Sequence, residues 1–260
     1  MFSLLNIEHD GPIATVRLDR VGAMNALSID LITELIEATA GLEAERELRV
    51  VVFTSNDDRA FVAGADVKAM AQMSAFERAE FARLGHELMH TIEALPQVTV
   101  AAVNGFCLGG GFEFALSCDL IAAGPKAQFG FPEVSLGLVP GFGGTQRFPK
   151  SVGMHRALGY ILSGERFGVE KADQMGMVSL RVDETADFLT KVMAYAAGIA
   201  ANGPRALAAA KQLVRQGCVH DARTGTDLEV GAFGAIGTSD DAQEGMDAFL
   251  QKRKPAFHNR

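Results

Sequence analysis

The sequence predicts an α/β core followed by an all-helical C-terminal region, and two observations carry that reading. Residues 50–53 and 98–103 are continuous apolar runs, the pattern of strands covered on both faces, and helical stripes separate them. Beyond residue 186 four helical patterns follow one another with no strand between, so all-α follows alternating β and α. The nearest thing to a boundary is Gly203-Pro204, which makes residues 1–202 the expected core and residues 203–260 the expected helical region.

Residues 12–18 alternate Ala14, Val16 and Leu18 with Thr15 and Arg17, a half-buried strand, and a turn follows around Gly22. A helix begins near Ser28 and carries Leu31, Ile32, Leu35, Ile36 and Leu42 along one stripe. After the first apolar strand, Phe61-Val62-Ala63-Gly64-Ala65-Asp66 reads as a loop of mostly small residues. Ser74-Ala75-Phe76-Glu77 has the form of a capping box and opens a long helix. The strand at 98–103 leads to Gly109-Gly110-Gly111, from which a short helix is expected to reach Cys118. Then come a strand at 120–123, loops and short helices to about residue 162, and a strand at 178–182. The last helices are expected at 186–201, 204–216, 221–236 and 242–252, with Pro204 at a first helical position.

With 48% apolar and 22% charged residues, the composition is that of a soluble globular protein without long disorder. A net charge of -8 argues against a non-specific grip on nucleic acid or anionic membrane, so a polyanionic ligand has to be met by a local basic cluster such as Lys252-Arg253-Lys254. No apolar run approaches membrane-spanning length, and residues 1–8 lack the basic flank of a leader, so a cytoplasmic location is expected. Cys107, Cys118 and Cys218 form no C-x-x-C pair, which argues against a disulfide framework or a thiolate zinc site. Cys118, ahead of an apolar strand, reads as a small core residue. Neither G-x-G-x-x-G nor a phosphate-loop motif is present, and no cofactor or metal is expected.

Two glutamates twenty residues apart stand out. Glu113 lies just past three glycines at a helix start, where bare N–H groups and a carboxylate meet in one small volume. Glu133 follows Pro132 in an apolar loop, where a charge is costly to leave without a task. Together they suggest acid/base chemistry beside a negative charge developing on oxygen. Gly110 supplies one wall of an oxyanion pocket, and Ala65, in an equally bare loop, supplies a second N–H. Each motif also has a bland reading: close helix–strand packing for the glycines, a carboxylate suiting a helix N-terminus for Glu113, and a solvated loop charge for Glu133.

Four motifs in order, Phe61-x-Ala63-Gly64-Ala65-Asp66, Ala101-Ala102-Val103-Asn104-Gly105 with Gly109-Gly110-Gly111 and Glu113, Phe129-Gly130-x-Pro132-Glu133, and Pro140-Gly141-x-Gly143-Gly144-Thr145-Gln146-Arg147, resemble the enoyl-CoA hydratase/isomerase (crotonase) family. The resemblance runs from Asn25-Ala26-Leu27 to Phe249 and Lys252. It implies a crotonase-like spiral of β-β-α turns with a helical C-terminal region that covers CoA and joins subunits into a homotrimer or homohexamer. It also implies that the Ala65 and Gly110 N–H groups hold a thioester oxygen, that Glu113 polarises a water, and that Glu133 exchanges a proton with substrate and water. Gly141 matches a glycine beside that water. Gly111 and Pro132 fall within the substrate-binding motifs, and the main chain of Ala63, Ala65, Asp66, Val67 and Lys68 matches the CoA-lining segment. Phe249 and Lys252 match positions that reach a CoA bound by a neighbouring subunit.

The reading implied is a hydratase that adds water to trans-2-enoyl-CoA, with fatty-acid β-oxidation as its setting and an S configuration at C3 by family analogy. An isomerase or a specialised dehydratase of the same fold is the alternative, and a scaffold or RNA-binding member that has lost chemistry is a third. Met70, Met73, Phe76, Phe81 and Phe142 are the candidates that shape the acyl pocket. One departure bears on the first turn, where Arg20-Val21 stands in place of the family's common Arg-Pro. A rival of another class is the zinc peptidase pattern H-E-x-x-H at His86-Glu87-Leu88-Met89-His90, which lacks a third ligand at the usual spacings.

Overall fold

The computed structural model describes residues 2–57 and 59–259, through which the chain passes back and forth between two sheets. In the larger sheet β1 (Leu5–Asp10) and β2 (Ile13–Leu18) form an antiparallel hairpin, and β3 (Val50–Ser55), β5 (Val98–Val103), β7 (Leu120–Ala123) and β10 (Leu180–Arg181) extend it in parallel. The smaller sheet holds β4 (Ala60–Val62), β6 (Phe106–Leu108), β8 (Gln128–Gly130) and β9 (Phe167–Gly168), the last antiparallel. Each of the passes β3-β4, β5-β6 and β7-β8 lays one strand in each sheet before helical segments return the chain. This is the crotonase-like spiral of β-β-α turns.

Helix α1 (Ile29–Glu43) starts at Ser28, whose Oγ accepts the Leu31 N–H, and it buries Leu31, Ile32, Leu35 and Leu42. A short α2 (Val67–Met70) precedes α3 (Ala75–Ala94). There both capping-box bonds form: Glu77 N–H donates to Ser74 Oγ, and Ser74 N–H donates to Glu77 Oε2 at 2.7 Å. The apolar runs lack alternation because both faces of the large sheet are covered. Val51, Phe53, Ala101 and Val103 join the main core, while Val50, Val52, Val98 and Val100 pack under α8 (Phe188–Ala200) with its Phe188, Val192, Ala196 and Ala200 stripe.

Helix α4 (Gly110–Ser117) occupies the centre, buried along almost its whole length. Gly111 allows its closest approach, since a Cβ there would lie 2.1 Å from the Val62 carbonyl oxygen. Phe112 packs among Phe129, Phe131 and Phe148 with centroids 4.8–5.3 Å away, and Phe114 against Phe53 and Phe61. Beyond the sheets follow α5 (Gly144–Val152), α6 (Met154–Ser163), α7 (Val169–Gln174) and, after α8, the helices α9 (Pro204–Gly217), α10 (Ala222–Ile236) and α11 (Asp240–Leu250). Lys211 and Arg215 of α9 both bond Asp119, at 2.8 Å each.

Several elements differ from the sequence reading. Strand β1 is absent from the sequence reading: its alternation of Leu5 and Ile7 with Asn6 and Glu8 lasts only four residues, and the rest of this edge strand is polar and exposed. Phe61 and Val62 belong to β4 rather than to the loop, and β6 and β8 are three-residue strands, too short to show a period. Only Leu180–Arg181 of the expected strand at 178–182 is a ladder, flanked by single bonds from Ser179 N–H to Ile121 and from Val182 N–H to Ala123. Helix α11 starts and ends two residues earlier than expected, because Ser239 Oγ caps it through the Ala242 N–H. Cys118 is buried in the main core, as expected.

Two glycines are expected to behave oppositely. Gly111→Ala costs about 1–3 kcal/mol by forcing α4 off β4. Gly41→Ala, where nothing lies within 4 Å of the added methyl in α1, stabilises by about 0.5–1 kcal/mol. Urea unfolding midpoints of the two variants check both signs.

Candidate active site

A cavity of about 220 Å³ opens where α4, the loop after β4 and the segment before α5 meet. Ala65, Gly110, Glu113, Glu133 and Gly141 all line it, so five residues that the sequence singled out come together in one place. Met70, Phe81 and Phe142 form apolar wall, whereas Met73 packs against the core and Phe76 is exposed.

Glu113, in the first turn of α4, is 1% exposed. Its Oε1 accepts the Phe142 N–H at 2.8 Å and the Gly144 N–H at 2.7 Å. A Cβ on Gly144 would sit 3.1 Å from Glu113 Cγ and 2.4 Å from the Phe131 ring, so a glycine is needed for that N–H to reach the carboxylate. Burial pushes the Glu113 pKa up, while the Gly144 and Phe142 donors and the Arg147 charge pull it back.

Glu133 lies in a single 3₁₀ turn, Pro132–Leu136, whose first position Pro132 fixes. Its Oε2 is buried and has no partner among the described residues. The carboxyl fits because Gly109, at φ +49°, has no side chain; a Cβ there would stand 2.6 Å from Oε1. Burial pushes this carboxyl up to about 7, its own N–H pulls it back, and the charge of Glu113 raises it further.

The two candidate amides owe their freedom to their surroundings. Leu27 forms a parallel bridge with Ala65, donating to Gly64 O at 2.8 Å and accepting from Asp66 N–H at 2.9 Å, which turns the Ala65 N–H away from Leu27. Gly110 is the first residue of α4, so its N–H has no acceptor within the helix. Among the described residues neither N–H donates to a protein oxygen.

The remaining candidates divide. Gly141 has open space where a Cβ would stand. Ala63 N–H donates to Met24 O; Asp66 caps α2 through the Ala69 N–H and pairs with Arg20 at 2.7 Å. Val67 and Lys68 are exposed on the first turn of α2. Gly111 faces Val62 rather than the cavity. Phe249 is 82% exposed and lines a separate groove with Met246 and Phe257; Lys252 is exposed just beyond α11. Within one chain, neither reaches the cavity.

Arg20-Val21 leaves the first turn well fixed. Asn25, at φ +55°, accepts the Arg20 N–H and donates to Phe61 O, while the Arg20 guanidinium bonds Ala26 O. Sequence reasoning missed Gly109 as the seat of Glu133, and the pair Glu93 and Arg147; Arg147 stood in a quoted motif without a task. His86 and His90 share a face of α3 with centroids 6.0 Å apart. Arg147 lies beside His86 and, together with burial as the larger cause, depresses its pKa. Among the described residues no third His, Cys, Asp or Glu completes a metal-ligand set with His86 and His90.

The enoyl-CoA hydratase/isomerase family profile matches residues 8–260. The chain belongs to this family. It is 37% identical to a short-chain-enoyl-CoA hydratase of Clostridium acetobutylicum, over 98% of this chain and 97% of that one, and 37% identical to a crotonyl-CoA hydratase of Syntrophomonas wolfei, over 96% of each. The crystal structure of an enoyl-CoA hydratase from Bacillus anthracis superposes with a TM-score of 0.96 at 33% identity, covering 99% of this chain and all of that one.

The family member's two acids also bear on stability. A carboxyl whose folded pKa lies above its unfolded value binds its proton more tightly when folded, so its burial costs stability progressively as pH rises from about 4.3 through the folded value. For Glu133 that folded value is about 7. Glu133→Gln is therefore expected to raise the melting temperature at pH 8, with a gain that shrinks towards pH 5. Thermal melts across that range check the sign.

Proposed function

We propose that the chain is an enoyl-CoA hydratase that adds water reversibly to trans-2-enoyl-CoA, in fatty-acid metabolism. The observation that carries this reading is the convergence of two carboxyls, Glu113 buried and Glu133 half-buried, and two undonated amides on one cavity. Relatives named as short-chain-enoyl-CoA and crotonyl-CoA hydratases support it.

In this reading the Ala65 and Gly110 N–H groups donate to the thioester oxygen, which gains charge as Cβ is attacked. Glu113, with Oε1 committed to two amides, uses Oε2 to hold and polarise the water. The water oxygen bonds to Cβ, the Glu133 proton passes to Cα, and the proton lost by the water restores the carboxyl. A Glu133 pKa of about 7 suits a group that gives a proton in hydration and takes one in dehydration. Every proton and donor comes from the chain or the water, so the scheme calls for no cofactor beyond the CoA carried by the substrate. Gly141 leaves room for the water.

Residues 203–260 are read as the region that joins subunits and covers CoA, in a homotrimer or homohexamer. Exposed Val230, Phe233, Phe249 and Leu250 on α10 and α11 support this, and Phe249 and Lys252 would then reach a neighbour's CoA. A cytoplasmic location fits an acyl-CoA enzyme with no described helix long and apolar enough to cross a membrane.

Glu113→Gln and Glu133→Gln are each expected to lower kcat for crotonyl-CoA hydration by at least about 10²-fold while CoA affinity survives. Loss of enoyl-thioester absorbance measures the first and calorimetry the second; near-wild-type rates in both variants overturn the assignment. In the wild type, kcat/KM for hydration and for dehydration is expected to fall above neutral pH with the same profile, because Glu133 begins and ends the cycle protonated and the reaction consumes no net proton. Paired pH–rate profiles check the shared alkaline limb, and a rate independent of pH from 6 to about 9 in both directions rejects the proton-donor role.

A further inference from the structure

We propose that Arg147, gripped by Glu93, is a positioning residue for Glu113: it fixes the backbone of residues 142–144, and that backbone fixes the carboxylate. The proposal rests on the role given to Glu113 above. Glu93 lies in the last turn of α3 and Arg147 in the first turn of α5. Arg147 donates through Nε to Glu93 Oε1 at 2.8 Å and through Nη2 to Oε2 at 3.1 Å, a bidentate grip that sets the plane of the guanidinium. Its remaining nitrogen, Nη1, donates to the Phe142 carbonyl at 2.8 Å. The peptide on the other side of Phe142 supplies the N–H that Glu113 accepts, and Gly144 supplies the second.

The two glycines of this loop support the same arrangement independently. A Cβ on Gly143, at φ +105°, would fall 2.1 Å from Arg147 Nη1, so the guanidinium fills the space a side chain would need. A Cβ on Gly144 would crowd Glu113. One glycine thus makes room for the arginine, the next for the glutamate. Behind Glu93 the bracing continues: Arg215 of α9 approaches Glu93 Oε1 at 3.3 Å and bonds Asp119, which Lys211 also bonds. Glu113 faces Arg147 from α5 and Glu133 from the 3₁₀ turn, while Arg147 faces Glu93 and His86 from α3. At 13% side-chain exposure Arg147 is shielded enough that removing it leaves the Phe142 carbonyl without its partner and Glu93 with Arg215 alone.

The test uses Arg147→Gln, Arg147→Lys and Glu93→Gln in the full chain, each assayed for crotonyl-CoA hydration across pH alongside its melting temperature. For Arg147→Gln, kcat is expected to fall about 10- to 100-fold with KM within about threefold, the effect of a slightly misplaced group. The acid limb of kcat moves to higher pH, because Glu113 loses the cation and firm donors that favour its ionised form. Glu93→Gln moves both in the same direction by less. Arg147→Lys keeps the charge but cannot bond three partners in one plane, so it restores the limb more than it restores kcat.

A folded Arg147→Gln with wild-type kcat and acid limb overturns the proposal, as does a loss confined to KM or melting temperature. If that variant fails to fold, Glu93→Gln decides by the same readouts. An inactive wild type sinks the hydratase reading instead. In that event a crystal structure of Arg147→Gln decides: displaced residues 142–144 uphold the positioning role, and an unmoved loop with both bonds to Glu113 rejects it.

Discussion

One oxygen of Glu113, shared by the amides of Phe142 and Gly144, is the contact around which the site is assembled. It ties the central helix to a loop reached 29 residues later along the chain, closing the cavity on that side. Phe142 is placed by it on three counts. The N–H holds Glu113, the carbonyl receives Arg147, and the ring fills the hollow left by Gly85 on α3, where a Cβ would lie 2.2 Å from it. A residue that composition alone would file as core is therefore wall, clamp and spacer together.

That contact requires α4 to be immovable, and the spiral supplies the reason. The helix lies between the two sheets, with Gly111 pressed on Val62 and with Phe112 and Phe114 locked into aromatic clusters on different sides. Its start is fixed as well, because Gly109 donates to Gly130 O and accepts the Glu113 N–H at 2.9 Å. The Gly110 amide is consequently set by packing that involves no ligand. Under the proposed function the oxyanion site then needs no rearrangement when charge develops, which is the condition under which such donors contribute most.

How much of this the sequence discloses depends on the range of the cause. Ser28, Ser74 and Asp221 mark helix starts because a cap acts on residues three positions away or fewer. The strands β3, β5 and β7 were readable because burial on both faces removes polar alternation. Three-residue strands such as β6 and β8 carry no periodic signal, and their pairing is decided by the neighbouring turn of the spiral. The same division runs through the site. Glu113 and Glu133 stand out locally as charges among glycines and apolar residues, while Glu93 and Arg147 look like ordinary helix-surface charges until a separation of 54 residues is closed. Gly109 was visible as a glycine but not as the seat of Glu133, since only the fold brings β8 and its following turn beside α4.

In the proposed mechanism the two carboxyls are one chemical group given two tasks by unequal donation. Burial raises both, and what differs is how much is returned. Glu113 receives two loop amides and a nearby guanidinium, all of which favour its ionised form, so it suits a water-holding anion. Glu133 has a buried oxygen with no donor and feels the charge of Glu113, so it keeps a proton to about neutrality. Supplying the missing donor would relieve the cost of that orphan oxygen, but it would also lower the pKa and remove the acid from the range where it is useful. The unsatisfied atom is therefore consistent with function in a fold that otherwise pairs its buried side-chain polar groups, with Gln97 Oε1 the other exception among the described residues.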